Sequence, residues 1–428
     1  MPHFSYLNGV LCAESMPLSD LAQKFGTPLY VYSKAALAEN YGAYASACKQ
    51  FSQADDSTLI CFSVKSNSNL AVLNQLGKLG SGFDIVSGGE LLRVIAAGGD
   101  TSKVIFSGVG KSREEIKLAL SHNILCFNVE SLSELQRLNE IAGEMAKQAP
   151  VSFRVNPDVD ANTHPYISTG LQENKFGVGY FEALDCYRIA ATLPHIKVVV
   201  IDCHIGSQLL DDAPLLEALD KLIELVDQLT REGIHLRHLD IGGGVGITYD
   251  DEQPVKIGDY LERLFARVNN WRLHEHQGRP IKIMFEPGRS IVGNAGVLLT
   301  EIQYLKDNPV KNFAIVDAAM NDLMRPAMYE AWHGVLPVTQ RDIPARVWDV
   351  VGPVCESGDW LARERTLAVQ QGDLLAIMSA GAYGMTMASN YNTRGRAAEV
   401  MVDGVRVHLI RQREKPQDLF ALESLLPK

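Results

Sequence analysis

The chain has 428 residues, 46% of them hydrophobic, and its 51 acidic and 40 basic side chains give a formal charge of −11. That length allows two domains and a substantial core, and the acidic balance without a basic run excludes a general nucleic-acid binder. No apolar run approaches the ~18 residues of a membrane span. The seven cysteines, an odd number with no CxxC pair, suit reduced thiols in a cytoplasmic protein rather than a disulfide framework. The N-terminal MPHFSYLNGV lacks a charged region followed by a long apolar one, so no signal peptide is expected.

In chain order, PLYVYS (Pro28 to Ser33) is the first strand-like run. Eight apolar or β-branched runs come after it: Leu59–Val64, Gly82–Val86, Lys103–Ser107, Leu125–Val129, Val151–Val155, Lys197–Cys203, His238–Ile241 and Ile281–Phe285. Helical patterns lie between them. ELLRVIAAGG (Glu90 to Gly99) ends in two glycines, SREEIKLALSH (Ser112 to His122) has a serine cap and two early acids, and Ser131 to Met145 repeats that design. Strand alternating with helix favours a parallel sheet. Eight such units over about 250 residues fit a (β/α)8 barrel spanning 36–289, with a doubly wound open sheet as the alternative.

After Arg289 the pattern changes. VLLTEIQYLKD, NFAIVDAAM, ARVWDVVGPVC and DLLAIMSAGAYG read as strands, and VDGVRVHLIRQRE reads as a hairpin turning at Asp403-Gly404. Residues 290–428 are therefore expected to form an all-β domain, sandwich-like or barrel-like, to which residues 1–35 add a strand.

Several barrel strands end in residues with chemical potential, and barrel enzymes place catalytic groups where strands finish. Lys65 follows the first run in CFSVKSNSN. Burial disfavours its charge and would free its amine to form a Schiff base, although a surface lysine at a strand end is the plainer reading. His204 ends the sixth run in HIGSQ, and Gly242, Gly243 and Gly244 follow the seventh in IGGGVG. Consecutive glycines let backbone N–H groups approach a phosphate, or simply make a turn. Glu286 and Arg289 in EPGR flank Pro287 and Gly288 at the mouth of the last strand. The carboxylate could hold a protonated ring nitrogen and the arginine a carboxylate, or the two could form a local ion pair. In the β region, Arg325 and Tyr329 (MRPAMYE), Cys355 and Glu356 (CESGD) and Tyr383 (AGAYG) offer a cation, hydroxyls, a thiol and an acid. HxH and HExxH spacings are absent, so no metal is expected.

These segments, with GFDIVSGGEL, FRVNPDVDANTHPYISTG, NKFGV and AGAYGMTMASNYN, resemble in order the fold-type III, alanine-racemase-like pyridoxal-phosphate enzymes, on their decarboxylase branch. The resemblance runs over nearly the whole chain. It implies that Lys65 holds pyridoxal 5'-phosphate covalently, with Asp84 in its cofactor site. His204 would stack on the ring with Ser207 nearby, and Glu286 would pair with the ring nitrogen. Gly242 to Gly244, with Gly288 and Arg289, would bind the phosphate. Arg289, Arg325 and Tyr329 would hold substrate carboxylate, Glu356 the distal ammonium, and Tyr383 cofactor or substrate. Cys355 would donate a proton to the product, with His204 the third catalytic side chain. Cys355 and Glu356 would come from the other subunit of a homodimer, so that active sites are shared. The implied reaction is decarboxylation of meso-2,6-diaminopimelate to L-lysine and CO2. The alternatives are another basic or carrier-bound amino acid, or a non-catalytic pyridoxal-phosphate binder. Racemases of this fold type usually carry an arginine where Glu286 stands, which favours decarboxylation. One departure is Met385, where an aromatic residue is common. Asp158 to Gly170 and the ASNYN region are candidate lids.

Overall fold

Eight parallel strands close on themselves. They are β1 (Thr58–Ser63), β2 (Gly82–Ile85), β3 (Val104–Phe106), β4 (Cys126–Val129), β5 (Ala149–Asn156), β6 (Ile196–Asp202), β7 (His238–Asp240) and β8 (Lys282–Phe285). Each pairs in parallel with its neighbour, β8 pairs with β1, and the ring is complete. The computed structural model describes residues 3–52, 58–160, 175–274 and 281–427. Most of the DANTHPYISTG stretch and of the Asp158 to Gly170 lid candidate therefore lies outside the described residues.

Four of the helices between strands start where Asn69, Ser87, Ser112 or Ser131 supplies a side-chain acceptor for a free backbone N–H. Ser112 and Glu115 form a reciprocal capping box ahead of Arg113–Ser121. The later helix repeats only half of that design. Ser131 accepts from the Glu134 N–H at 3.2 Å, but the Glu134 carboxylate reaches one residue further back, to the Glu130 N–H at 2.9 Å.

Strand alternation sorts the barrel's two faces. Phe83 lies under the helix Leu70–Lys78, where a Cβ on Gly77 would touch its ring. Phe153 packs on Tyr187 and Phe285 on Phe265, both on surrounding helices. Large apolar residues thus face outward into the helix layer, and the next residue along each strand points inward.

A second compact unit comprises residues 1–39, 248–252 and 291–428, and the barrel unit comprises 40–247 and 253–290. The short segment Thr248–Glu252, just after the glycine turn in sequence, groups with this β unit. Its main sheet centres on Gly296–Lys306, which pairs antiparallel with Leu29–Ser33, Phe313–Val316 and Leu374–Ile377. Leu29–Ser33 also pairs in parallel with Ala398–Asp403. This N-terminal strand is buried along its whole length because both faces are covered. Tyr30 and Tyr32 enter one apolar core with Leu298, Trp348 and Leu361, while Leu29 and Val31 enter another with Leu299, Ala376 and Val400.

The final hairpin pairs Asp403 with Arg406, so its two turn residues are Gly404, at φ 64°, and Val405. Sequence patterning misses the strand Trp360–Leu367. Its Arg-Glu-Arg centre is polar, and a register shift breaks its alternation, with Glu364 at φ 56°. Among the described residues, no helix is long and apolar enough to cross a membrane.

Candidate active site

Where each barrel strand ends, a polar residue follows an apolar one. Ser63, Asp84, Ser107, Asn128, Arg154, Asp202, Asp240 and Glu286 give one such group per strand, and all are buried. Their contacts cross the barrel interior. Asn128 donates its amide to Ser107 at 3.2 Å, to Asp202 at 3.1 Å and, at 3.5 Å, to Glu286 on the far side. Ser63 donates to Asp84 at 2.7 Å. Lys65 lies in a single 3-10 turn immediately after β1, and its Nζ reaches the same Asp84 oxygen at 3.0 Å.

This ring is acidic. Four carboxyls face Arg154 and Lys65, and one oxygen each from Asp202, Asp240 and Glu286 lies within 4.8 Å of the others. Burial pushes the Glu286 carboxyl well above the ordinary range, reinforced by Asp84, Asp240 and Asp202 and opposed by Lys65. Burial and Asp202 raise Asp240 in the same way, although the Gly242 N–H opposes them. Asp202 is pushed up to about 7 by burial against the opposing charge of Arg154. Among the described residues, Oδ1 of Asp84, Oδ1 of Asp202 and Oδ2 of Asp240 find no hydrogen-bond partner.

The glycine turn is dictated first by space. A Cβ on Gly242, Gly243 or Gly244 would overlap the carbonyl oxygen of Cys203, Glu286 or Gly206, and Gly242 and Gly244 hold φ of 68° and 109°. Two of its amides are engaged inside the barrel. Gly242 donates to Asp240 at 2.9 Å and Gly243 to Nδ1 of His204 at 3.2 Å. The N–H groups of Gly244 and Gly288 donate to none of the described residues. The bond from Gly243 fixes the His204 tautomer, leaving the ring proton on Nε2. Burial, with Arg154 and Lys65 nearby, lowers the His204 pKa well below its usual value, so the ring is neutral. Arg289 is buried and donates to the Ser207 hydroxyl at 2.9 Å.

The barrel thus gathers Lys65, Asp84, His204, Ser207, the glycine turn, Glu286, Gly288 and Arg289 at one end. The other sequence-predicted residues belong to the β unit. Arg325 and Tyr329 bound a five-residue helix. Cys355 and Glu356 are exposed on a turn that Asp359 ties down by accepting the Val354 and Met320 N–H groups at 2.7 and 2.6 Å. Tyr391 donates to Glu356 at 3.2 Å, and Tyr383 sits at φ 56°.

Residues 42–293 match the family described as "Pyridoxal-dependent decarboxylase, pyridoxal binding domain". Over their full lengths, the chain is 58% identical to the diaminopimelate decarboxylase of Pseudomonas aeruginosa and 56% identical to that of Vibrio cholerae. The chain belongs to the diaminopimelate decarboxylase family. A solved family structure, the M. jannaschii diaminopimelate decarboxylase in co-complex with L-lysine, superposes with a TM-score of 0.94 at 39% identity, covering 99% of this chain and 98% of that one.

The residues at the barrel mouth fit the cofactor of this family. Pyridoxal phosphate brings a ring nitrogen that can carry a positive charge, an anionic phosphate and an aldehyde. The four carboxyls of the ring outnumber the two cations near them, Arg154 and Lys65, and three of its buried oxygens lack donors among the described residues. Two backbone N–H groups and a buried arginine lie by the glycine turn, and Lys65 supplies an amine. Sequence reasoning missed most of the ring: Ser63, Ser107, Asn128, Arg154, Asp202 and Asp240. Its signal was present in the pairs Phe-Ser, Phe-Asp, Phe-Asn, Phe-Arg, Ile-Asp, Leu-Asp and Phe-Glu at the strand ends.

Proposed function

We propose that this chain decarboxylates meso-2,6-diaminopimelate to L-lysine and CO2, using pyridoxal phosphate held at the barrel mouth. The observation that carries this reading is the buried Glu286 within the acidic ring, on the same barrel end as Lys65. Bound pyridoxal phosphate supplies an electron sink for the pair released when CO2 departs. Burial and acidic neighbours make a lone Glu286 carboxylate costly, so it would pair as the anion with a protonated ring nitrogen, and that pair would keep the sink strong. Lys65 would hold the cofactor through its amine, which Asp84 would orient, and the neutral His204 imidazole would lie against the ring face. The N–H groups of Gly244 and Gly288, beside Ser207 and Arg289, hold the phosphate, while Gly242 and Gly243 hold the turn in shape.

The substrate carries two carboxylates and two ammonium groups, and one carboxylate must remain. Arg289, Arg325 and Tyr329 hold that carboxylate, Glu356 the distal ammonium, and Tyr383 contacts cofactor or substrate. Cys355 delivers the proton that replaces CO2. Cys355 and Glu356 serve the site of a second copy in a homodimer, a reading supported by their exposure on a stiffened turn. The free cysteines support a cytoplasmic location.

The test supplies meso-diaminopimelate to the purified holoenzyme and measures lysine and CO2, which are expected in equal amounts. Absence of that turnover, with brisk turnover of ornithine or arginine, would sink the substrate assignment.

A further inference from the structure

Arg325 is buried at the start of its short helix, and His333 and Tyr249 lie against its guanidinium. Its Nη1 lies 2.9 Å from Nε2 of His333, and its Cζ stands 4.7 Å from the centre of the Tyr249 ring. His333 is itself fully buried, with Nδ1 2.8 Å from the Met378 carbonyl oxygen. A carbonyl only accepts and a guanidinium only donates. Nδ1 therefore carries the ring proton, and the Nε2 lone pair faces Arg325. Tyr249 closes the triangle, its ring 5.1 Å from that of His333 at an interplanar angle of 80°.

Strand register places this histidine. Val335–Pro337 pairs antiparallel with Leu374–Ile377, and the Met378 N–H donates to Gly334 at 2.8 Å. His333 directly precedes that pairing and so meets the carbonyl of Met378.

We propose that His333 is a positioning residue for substrate specificity: it aims Arg325 at the carboxylate the substrate keeps, with Tyr249 as the wall against which the guanidinium is held. This rests on the reading of Arg325 as a carboxylate ligand. Arginine offers five N–H donors in a rigid fork. Committing Nη1 to His333 fixes the plane of that fork, so its remaining donors meet a planar carboxylate without first losing rotational freedom. The retained carboxylate is held alike before and during bond cleavage. Loss of aim therefore raises KM and leaves kcat nearly unchanged.

The experiment compares His333→Phe, His333→Gln and Arg325→Gln holoenzymes with meso-diaminopimelate, monitoring bound cofactor and thermal midpoint. His333→Phe keeps the volume and removes the acceptor, and KM is expected to rise about 10- to 100-fold with kcat within about 3-fold. His333→Gln restores an acceptor and is expected to return KM to within about 5-fold of wild type. Unchanged KM in His333→Phe, or a loss confined to kcat and cofactor content, overturns the proposal. Unchanged KM in Arg325→Gln instead overturns the reading of Arg325. Should His333→Phe fail to fold, His333→Asn replaces it, because its shorter amide cannot reach Arg325. A KM at least 10-fold above that of His333→Gln then supports the proposal, and equal values overturn it.

Discussion

In the β unit, no buried carboxyl oxygen of the described residues is left without a partner, although burial still pushes Asp322 up to about 6. Glu399 accepts the Tyr32 hydroxyl at 2.7 Å, Asp349 accepts from Lys311 and the Glu364 N–H at 2.8 Å each, and Asp373 accepts from Arg341 and the Gln370 N–H. In the barrel unit, Asp84, Asp202 and Asp240 each keep one buried oxygen without a donor, and three of the four ring carboxyls are pushed up in pKa. An unsatisfied buried acceptor costs about 1–3 kcal/mol. A chain that only had to fold would not repeat that cost around one ring. The difference separates acids that serve the fold from acids that serve a cationic ligand at some expense to stability.

The largest effect expected from breaking the barrel side of this comparison is at Lys65. A Lys65→Ala protein should lose at least ~10^3-fold in kcat and its covalently held chromophore, as read by steady-state assay and visible absorption. A variant that keeps the covalent chromophore refutes the lysine assignment. Mixing it with Cys355→Ala subunits should restore part of the activity through hybrid sites. No rescue in verified heterodimers counts against a site completed by a second copy.

Glu286→Gln comes next and tests whether ring acids trade stability for function. Activity should fall about 10^2-fold, since a neutral amide cannot keep the ring nitrogen charged, while the cofactor-free protein should be as stable as wild type or more so. A marked drop in its urea midpoint would place Glu286 with the structural acids instead.

Asp202 sharpens the comparison through pH. Its folded pKa of about 7 lies above the ordinary ~3.9, so between those values the folded state binds more protons than the unfolded state. Stability of the cofactor-free protein must therefore fall as pH rises from about 4 to about 7, by at most ~4 kcal/mol from this group. Asp202→Asn should flatten the fall, and bound cofactor should lessen it by bringing positive charge. Denaturation midpoints across that range, identical in wild type and variant, would contradict the coupling.

Much of this was legible in the sequence for identifiable reasons. The barrel strands are short apolar runs, mostly bounded by turn residues, so all eight could be placed. Lys65, His204, the glycine turn and Glu286 stood out because they interrupt or follow those runs. The rest of the ring was hidden, because a single Asn128 or Asp202 at a strand end looks like an ordinary boundary. Only closure of the barrel makes Asn128 a neighbour of Glu286, 158 positions away. His333 left no signal at all: its partners, Arg325, Tyr249 and Met378, meet through strand pairing and through a five-residue segment, Thr248–Glu252, that groups with the β unit. The glycine turn was legible as a turn, but which of its amides face inward depends on the placement of Asp240 and His204.

The smallest effect belongs to the β unit and serves as the control. Tyr32 comes from the N-terminal strand and Glu399 from the C-terminal Ala398–Asp403, so their 2.7 Å bond ties the two ends of the chain across one parallel pairing. Tyr32→Phe removes the hydroxyl and little volume. A hydrogen bond to a buried acid is worth about 1.5–3 kcal/mol, and the loss should appear in full as a lower urea midpoint. Glu399→Gln keeps an acceptor for the hydroxyl and should cost less. Neither change should alter KM, the chromophore or the stability slope between pH 4 and 7, because neither residue belongs to the barrel ring. A shift in KM from Tyr32→Phe would show that structural and functional acids are not separable by unit, and the division between fold-serving and ligand-serving carboxyls would have to be drawn residue by residue.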